Sequence, residues 1–132
     1  MAAIIPQETY REIAQQLLER SKRNEVAWSN DDLYEDSYMV RLPQSTVRIR
    51  RHRSGSSSAY VLVLEDAAQD EIGQWGTNDY LGSHSDYVLR RDLFLEANRF
   101  VTRWDQVVED IKSALTGAGR VGSPTVVESG KL

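Results

Sequence analysis

The stretch from Tyr38 to Leu64 constrains the fold more than any other part of the sequence, because its apolar residues alternate with polar ones. Alternation with a period of two is typical of a β-strand that buries one face. Three strand-like runs are separated by Leu42-Pro43-Gln44-Ser45 and by the Ser/Gly-rich segment 54–58, which we expect to be a flexible hairpin loop. Three strand-like runs joined by two turn signals predict an antiparallel meander.

The second run separates apolar from basic residues. Val47 and Ile49 fall on one face, and the other face carries Arg48, Arg50 and His52. We expect these basic side chains to point to solvent, and Arg41 on the preceding run to lie beside them.

The third run, Tyr60 to Leu64, is apolar on both faces, which predicts a central strand that is covered on both sides. Residues 71–75 form a weaker fourth candidate strand. Residues 25–33 fit either a short strand or an extended connection, because Val26 and Trp28 alternate with polar neighbours.

Helical periodicity flanks the meander on both sides. Apolar residues recur every three or four positions over residues 6–23, which predicts an amphipathic helix that Asn24 ends in a left-handed conformation. A second helical region spans 86–115, with a capping residue at Ser83 or Ser85. An unbroken helix of this length would extend about 45 Å, so the helix either breaks or projects into a partner. We favour two helices, at about 86–101 and 104–115, because Thr102 begins a capping-box pattern that ends at Asp105.

These elements predict an α+β fold in two layers. An antiparallel sheet of three to four strands carries the N-terminal helix and the C-terminal helical pair, packed mainly on one face. The pattern assigns residues 1–115 to a single domain and residues 116–132, which are rich in Gly, Ser and polar residues, to a disordered tail.

Composition narrows the functional classes. The chain has 132 residues, a net charge of −4 and no cysteine, and no apolar run approaches the length that spans a bilayer. The negative charge disfavours non-specific binding of nucleic acid by the whole molecule. We expect a cytoplasmic protein without disulfides, thiolate metal sites or a membrane partner.

The basic face allows two interpretations. Arg41, Arg48, Arg50 and His52 could follow a phosphate backbone, but no aromatic residue is interleaved with them as a stacking platform. Alternatively, they are solvated and paired with acidic residues of segment 31–36 or of segment 65–71. Pairing is the preferred interpretation, and nucleic-acid binding is the alternative function.

Nothing in the chain predicts catalysis or a cofactor. No nucleotide-binding, nucleophile or zinc-protease motif occurs. His84 and Asp86, with Asp79 nearby, supply too few ligands for a closed metal site, and capping explains the adjacent serines. We therefore expect no enzymatic activity, cofactor or metal.

The C-terminal helical region contains an apolar pattern that indicates a contact surface. A near-heptad seam runs through it: Leu93, Ala97, Phe100, Trp104, Val107, Ile111 and Leu115. Phe94, Val101 and Val108 lie beside the seam and widen it. This surface exceeds what a small sheet can cover, so we expect Trp104 and Val108 to contact a protein partner or a second copy, as in a homodimer.

The layout resembles small uncharacterised bacterial α+β domains. The resemblance is carried by Trp28, by the Leu42-Pro43 turn and by Leu93-Phe94-Leu95-Glu96-Ala97-Asn98-Arg99, and it spans about residues 7–115. Because these domains have no established activity, the resemblance implies a fold and transfers no functional residue. We therefore expect the protein to be a small non-enzymatic interaction or regulatory module.

Overall fold

The structure, a computed structural model, describes residues 4–77, 83–117 and 119. Within these residues the strands form an antiparallel five-stranded sheet whose spatial order follows the chain. The strands are β1 (Ser29–Asn30), β2 (Ser37–Leu42), β3 (Ser45–Ser54), β4 (Ser57–Asp66) and β5 (Glu71–Trp75). The predicted α+β class with an antiparallel meander is therefore confirmed.

The number of strands differs from the prediction of three to four because β1 adds a fifth. Ser29 pairs with Met39 and Asn30 pairs with Tyr38. Two residues are too few to show a period-two pattern, so β1 is defined by pairing with β2 and not by its own sequence.

The hairpin between β3 and β4 is tighter than predicted. The expectation of a flexible loop over 54–58 is wrong, because β3 continues to Ser54 and β4 begins at Ser57. Gly55 has φ of +63°, a left-handed conformation that glycine adopts at no steric cost and that two-residue hairpin turns require.

Three helices complete the described structure: α1 (Gln7–Lys22), α2 (His84–Thr102) and α3 (Trp104–Thr116). The helix predicted over 6–23 is confirmed, and Asn24 follows it with φ of 59°. At the start of α2, the Asp86 N–H donates to Ser83 Oγ at 3.2 Å, which confirms the serine cap.

The hydrophobic core lies between one face of the sheet and the helices α1 and α2. Phe94 of α2 packs against Tyr38 and Tyr60 of the sheet, with ring centroids 5.2 and 5.4 Å apart. The other buried members are Tyr10, Ala14, Val26, Trp28, Val40, Val47, Ile49, Leu62, Leu64, Trp75, Leu93 and Ala97. Every residue of β4 from Tyr60 to Leu64 is buried, as both apolar faces of this strand predict.

Two buried polar side chains, Trp28 and Arg90, have hydrogen-bond partners in this core. The Trp28 indole N–H donates to Ser21 Oγ at 2.8 Å, which fixes the segment after α1. The guanidinium of Arg90, on α2, donates to the Tyr60 carbonyl at 2.6 Å and lies 4.7 Å from the centre of the Trp75 ring. Because these bonds satisfy groups that would be costly to bury alone, they also fix the position of the helices on the sheet.

An ion pair joins the two core helices. Arg11 of α1 contacts the Asp86 carboxylate of α2 through two hydrogen bonds, of 2.8 and 3.0 Å. This bidentate bond lowers the pKa of Asp86 below its ordinary value, against burial, which acts in the opposite direction. Asp86 is therefore held in its charged form as part of the fold.

The chain divides into two compact units, Met1–Thr102 and Arg103–Leu132. The first contains the sheet, α1, α2 and every member of the buried core cluster. The second contains α3. The division falls inside the region 1–115, which the sequence assigns to one domain, and the predicted tail over 116–132 lies outside the described residues except for 116, 117 and 119.

Candidate functional site

Among the described residues of the second unit, exposed apolar side chains form a stripe along α3. We define the α3 stripe as Trp104, Val107, Val108, Ile111 and Leu115. Their exposed fractions range from 37 % for Val108 to 62 % for Leu115, and no residue of α3 is buried. Large apolar side chains that are exposed together on one helix face indicate a surface that contacts another molecule.

The geometry of the helix places these residues on one side and places several polar and charged residues on the opposite side. Positions three and four apart lie on the same side of a helix. The opposite side carries Glu109, Asp110 and Ser113, which are exposed. The α3 helix is thus amphipathic, with one side suited to water and one suited to an apolar partner.

The break between α2 and α3 occurs where the sequence predicts it, but the predicted capping box is wrong. Thr102 Oγ1 donates back to the Asn98 carbonyl at 2.7 Å and does not cap α3. The N-cap position is Arg103, whose φ of 50° and ψ of 36° are left-handed, and no side chain bonds to the helix start from there. A single left-handed residue therefore ends the continuous helical path.

The break divides the predicted seam into two parts with different environments. Leu93 and Ala97 are fully buried in the core, and Phe100 packs at its margin. Phe94 is also a core residue, and Val101 packs against the core, so the expectation that both widen an outer surface is wrong. Of the three flanking residues named from the sequence, only Val108 lies on the exposed stripe.

The basic face of β3 differs from the prediction at its central residue. Arg48 was expected to point to solvent, but its side chain is only 2 % exposed. Arg48 Nη1 donates to Asp31 Oδ2 at 3.1 Å, and Arg48 Nε lies 3.2 Å from Glu65 Oε2. Ser37 Oγ also donates to Asp31 Oδ2, at 2.8 Å. The two carboxylates neutralise and surround Arg48, so it is not presented to a phosphate.

Arg50 and His52 lie farther along the same face. The Arg50 guanidinium lies 4.3 Å from the centre of the Tyr34 ring. Arg50 is half-buried, His52 is exposed, and Tyr34 keeps about half of its surface exposed. Sequence periodicity missed this aromatic neighbour because Tyr34 comes from the loop between β1 and β2 and not from a strand.

Arg41 is exposed and lies apart from this pair. With the Gln69 amide oriented so that its oxygen faces the guanidinium, Gln69 accepts a hydrogen bond from Arg41 Nη1 at 2.7 Å. Of the basic residues singled out from the sequence, the structure therefore brings Arg50 close to an aromatic ring, buries Arg48, and leaves His52 and Arg41 exposed at separate positions.

Acidic residues accompany the remaining arginines of β3. Arg51 and Arg53 each contact Asp36 Oδ2, at 3.3 and 3.4 Å. Asp32 and Glu35 are exposed in the same loop, which borders an open cleft of about 460 Å³ over residues 30–38. This end of the sheet therefore combines both signs of charge, as the pairing interpretation predicts, and lacks the uniform positive potential that follows a nucleic-acid backbone.

The histidine-containing segment at the start of α2 is accounted for by packing. The His84 ring stacks on Tyr87 with centroids 6.3 Å apart, and the Asp86 carboxylate is held by Arg11. Asp79 lies outside the described residues. Among the residues that the structure describes, no three His, Asp or Glu side chains form a group that could hold a metal ion.

We compared the chain with known proteins to see whether a relative assigns a role to the α3 stripe or to the basic face of β3. No protein-family model, curated protein or solved structure matches the chain. Among the described helices, none is both long and apolar enough to cross a membrane.

Proposed function

We propose that this protein is a non-enzymatic interaction module that binds another protein chain through the α3 stripe. The observation that carries the proposal is that α3 exposes five large apolar side chains, while the first unit has a complete core of its own. The resemblance to bacterial α+β domains and a cytoplasmic location remain part of the proposal.

The length of α3 supports a binding role. An isolated helix shorter than about 12–15 residues is only marginally stable in water, because helix nucleation is costly. The α3 helix has 13 residues, and none of them is buried. A partner that covers the stripe would supply the packing that such a short helix needs.

The size of the stripe sets the expected strength of binding. Complete burial of one Val, Leu, Ile or Phe side chain contributes about 1.5–3 kcal/mol. Covering the exposed half of five such side chains would therefore contribute roughly 5 kcal/mol from this helix. Association itself costs about 4–15 kcal/mol, so the stripe needs a partner that contributes apolar surface of its own.

A photo-crosslinking residue at Val107, compared with one at Gln106, tests the proposal. These neighbouring positions differ in that Val107 belongs to the stripe and Gln106 does not. We expect adducts from position 107 in excess over position 106, and we expect Ile111→Glu to abolish that excess. Ser113→Glu is the matched control, because it adds the same charge to the opposite side of α3.

Two results would overturn the proposal. Equal crosslinking at positions 106 and 107 would show that the stripe is not a preferred contact surface. A thermal midpoint that falls by more than about 4 °C in Ile111→Glu, and not in Ser113→Glu, would place the stripe in the protein's own folded core.

A nucleic-acid-binding role is the second candidate, and it depends on Tyr34 and Arg50. The half-exposed Tyr34 ring beside the Arg50 guanidinium offers one stacking surface and one phosphate contact. Titration with a single-stranded oligonucleotide at low salt tests it, with Tyr34→Ala as the variant. Leu33→Ala is the control, because it removes an exposed apolar side chain without a ring from the same loop. No binding by the unmodified protein at low salt would remove this candidate, since phosphate contacts are strongest there.

A further inference from the structure

The order of residues along α3 contains information about the geometry of its partner. Trp104, Val108, Ile111 and Leu115 follow at spacings of four, three and four, which are the d, a, d and a positions of a heptad repeat. In this assignment the two flanks differ in chemistry. One flank carries Asp105 and Lys112, and the other carries Val107 and Ala114.

We infer that the partner is a second copy of this chain, and that the two α3 helices pack antiparallel around a twofold axis. This inference rests on the proposed function, since it names the occupant of the same stripe. An antiparallel pair sets a positions against d positions, so Trp104 faces Leu115 of the second copy and Val108 faces its Ile111. The bulky end residues of one helix then pack against the end residues of the other, and the smaller central residues pack against each other.

Charge complementarity on the flanks favours this arrangement. In an antiparallel pair each flank meets the same flank of the other helix. Asp105 of one copy then lies beside Lys112 of the other, and the twofold axis repeats this ion pair. On the second flank, Val107 meets Ala114, which extends the apolar contact.

A parallel pair would lack this match. It would set the charged flank of one helix against the apolar flank of the other, so that Lys112 would lie beside Val107. Asp105 already accepts the Gln106 N–H at 3.0 Å, and a carboxylate has acceptor capacity for a further charged donor. The antiparallel pair therefore sets opposite charges side by side while covering the stripe.

The area of such a contact predicts a weak, reversible dimer. A 13-residue helix is about 20 Å long at 1.5 Å per residue. Two helices of this length bury less than the roughly 1,200–2,000 Å² of stable specific interfaces. Self-association should therefore depend on concentration over the micromolar range.

Charge exchange between two variants tests the orientation. Asp105→Lys and Lys112→Glu each place like charges at both flank contacts of a homodimer, and each should weaken self-association about tenfold. In an equimolar mixture, the lysine introduced at position 105 of one variant faces the glutamate introduced at position 112 of the other. At the second flank contact of that mixed dimer, the native Lys112 faces the native Asp105. The mixture should associate within about threefold of the unmodified protein, measured by sedimentation equilibrium.

The mixture is the decisive measurement, because each chain keeps its own helical propensity alone and when mixed. Glu109→Lys is the control. It makes the same charge change as Asp105→Lys on the side of α3 away from the stripe, and it should leave self-association unchanged.

The possible failures are distinguishable. An unmodified protein that remains a 15.0 kDa monomer up to about 1 mM overturns the second copy as partner. The binding role of the stripe would then still be supported if crosslinking at position 107 exceeds that at position 106. A dimer whose charge variants do not recover on mixing overturns the antiparallel orientation.

Discussion

Arg48 Nη1 lies 3.1 Å from Asp31 Oδ2, and both side chains are almost completely removed from solvent. A surface ion pair contributes little to stability, but a buried one becomes essential once the structure has formed around it. Glu65 supplies the second carboxylate, so the three residues link β4, β3 and the loop that follows β1. The centre of the basic face is consequently a structural cluster and not a binding surface.

Breaking this cluster from one side should destabilise the protein strongly. Arg48→Met leaves Asp31 and Glu65 without their shared cation, and Asp31→Asn removes half of the compensation of Arg48. Removal of one partner of a buried pair typically costs about 3–5 kcal/mol, because the remaining charge is desolvated and unpaired. We expect a loss of this size in the free energy of unfolding from urea titration.

Arg53→Met is the matched control. Arg53 also pairs with an aspartate, Asp36, but its side chain is 63 % exposed, so the loss should be below about 1 kcal/mol. If Arg48→Met costs no more than Arg53→Met, water must reach the Arg48 cluster, and its structural role would be wrong.

The sequence could predict the elements whose signals are local. The periodicity of α1, the turn at Pro43 and the double-sided hydrophobicity of β4 are each contained within a few residues. Burial of Arg48 depends instead on Asp31 and Glu65, which lie 17 residues away in either direction. The alternation pattern identified the face of Arg48 correctly, but it could not show what covers that face.

The exposed stripe on α3 could be predicted only in part, because a local sequence pattern does not show what covers a helix face. Heptad spacing through Leu93 and Ile111 is identical whether the seam fills a core or faces solvent. The left-handed Arg103 separates these two cases, and arginine carries little preference for that conformation. Helix length predicts that a break exists, and the Thr102 pattern predicts its position. The width of the seam led us to expect an exposed surface, but only the structure separates the exposed Trp104 and Val108 from the buried Phe94.

The Arg11–Asp86 pair should make stability depend on pH in the acidic range. The Arg11 hydrogen bonds lower the pKa of Asp86 in the folded state, so the unfolded chain binds the proton more readily. The stabilisation is therefore complete above the pKa of Asp86 in the unfolded chain, about 3.9, and is lost as the pH falls through the lower folded value. Asp86→Asn should be less stable than the unmodified protein near neutrality, and the difference should shrink on acidification.

Thermal unfolding followed by circular dichroism from about pH 7 to about pH 2 measures this convergence. Glu25→Gln is the control, because the Arg23 hydrogen bonds also lower the pKa of Glu25, but this pair is exposed to solvent. Its stability should follow that of the unmodified protein closely. A constant difference between Asp86→Asn and the unmodified protein at every pH would mean that the loss is steric and not electrostatic.

Gly73 on β5 should not tolerate a side chain. A Cβ at this position would overlap the Tyr10 hydroxyl and press on Ile5, and Tyr10 is itself held by stacking on Trp75 with centroids 6.0 Å apart. We expect Gly73→Ala to cost about 1–3 kcal/mol in urea unfolding, as overpacking does elsewhere.

Removal of the Tyr10 hydroxyl tests the cause of that loss. In the background of Tyr10→Phe, Gly73→Ala should cost less, because the nearest overlapping atom is gone. Gly117→Ala is the control for glycine replacement. Gly117 has φ of −73°, which any residue adopts, and a Cβ there would meet its nearest heavy atom at an ordinary 3.5 Å. An undiminished cost in the Tyr10→Phe background would mean that the contact with Ile5, and not the one with the hydroxyl, causes the loss.

The first unit should fold without α3. Every member of the buried core cluster precedes Arg103, and no residue of α3 is buried. A chain that ends at Thr102 should therefore melt cooperatively, with a midpoint within about 4 °C of the full-length protein. A chain that ends at Leu95 is the control, because it lacks Ala97, which is fully buried, and the last two turns of α2. It should melt at a much lower temperature or not fold. If the chain ending at Thr102 is destabilised as severely as the control, then α3 contributes to the core, and the stripe cannot be the surface that binds a partner.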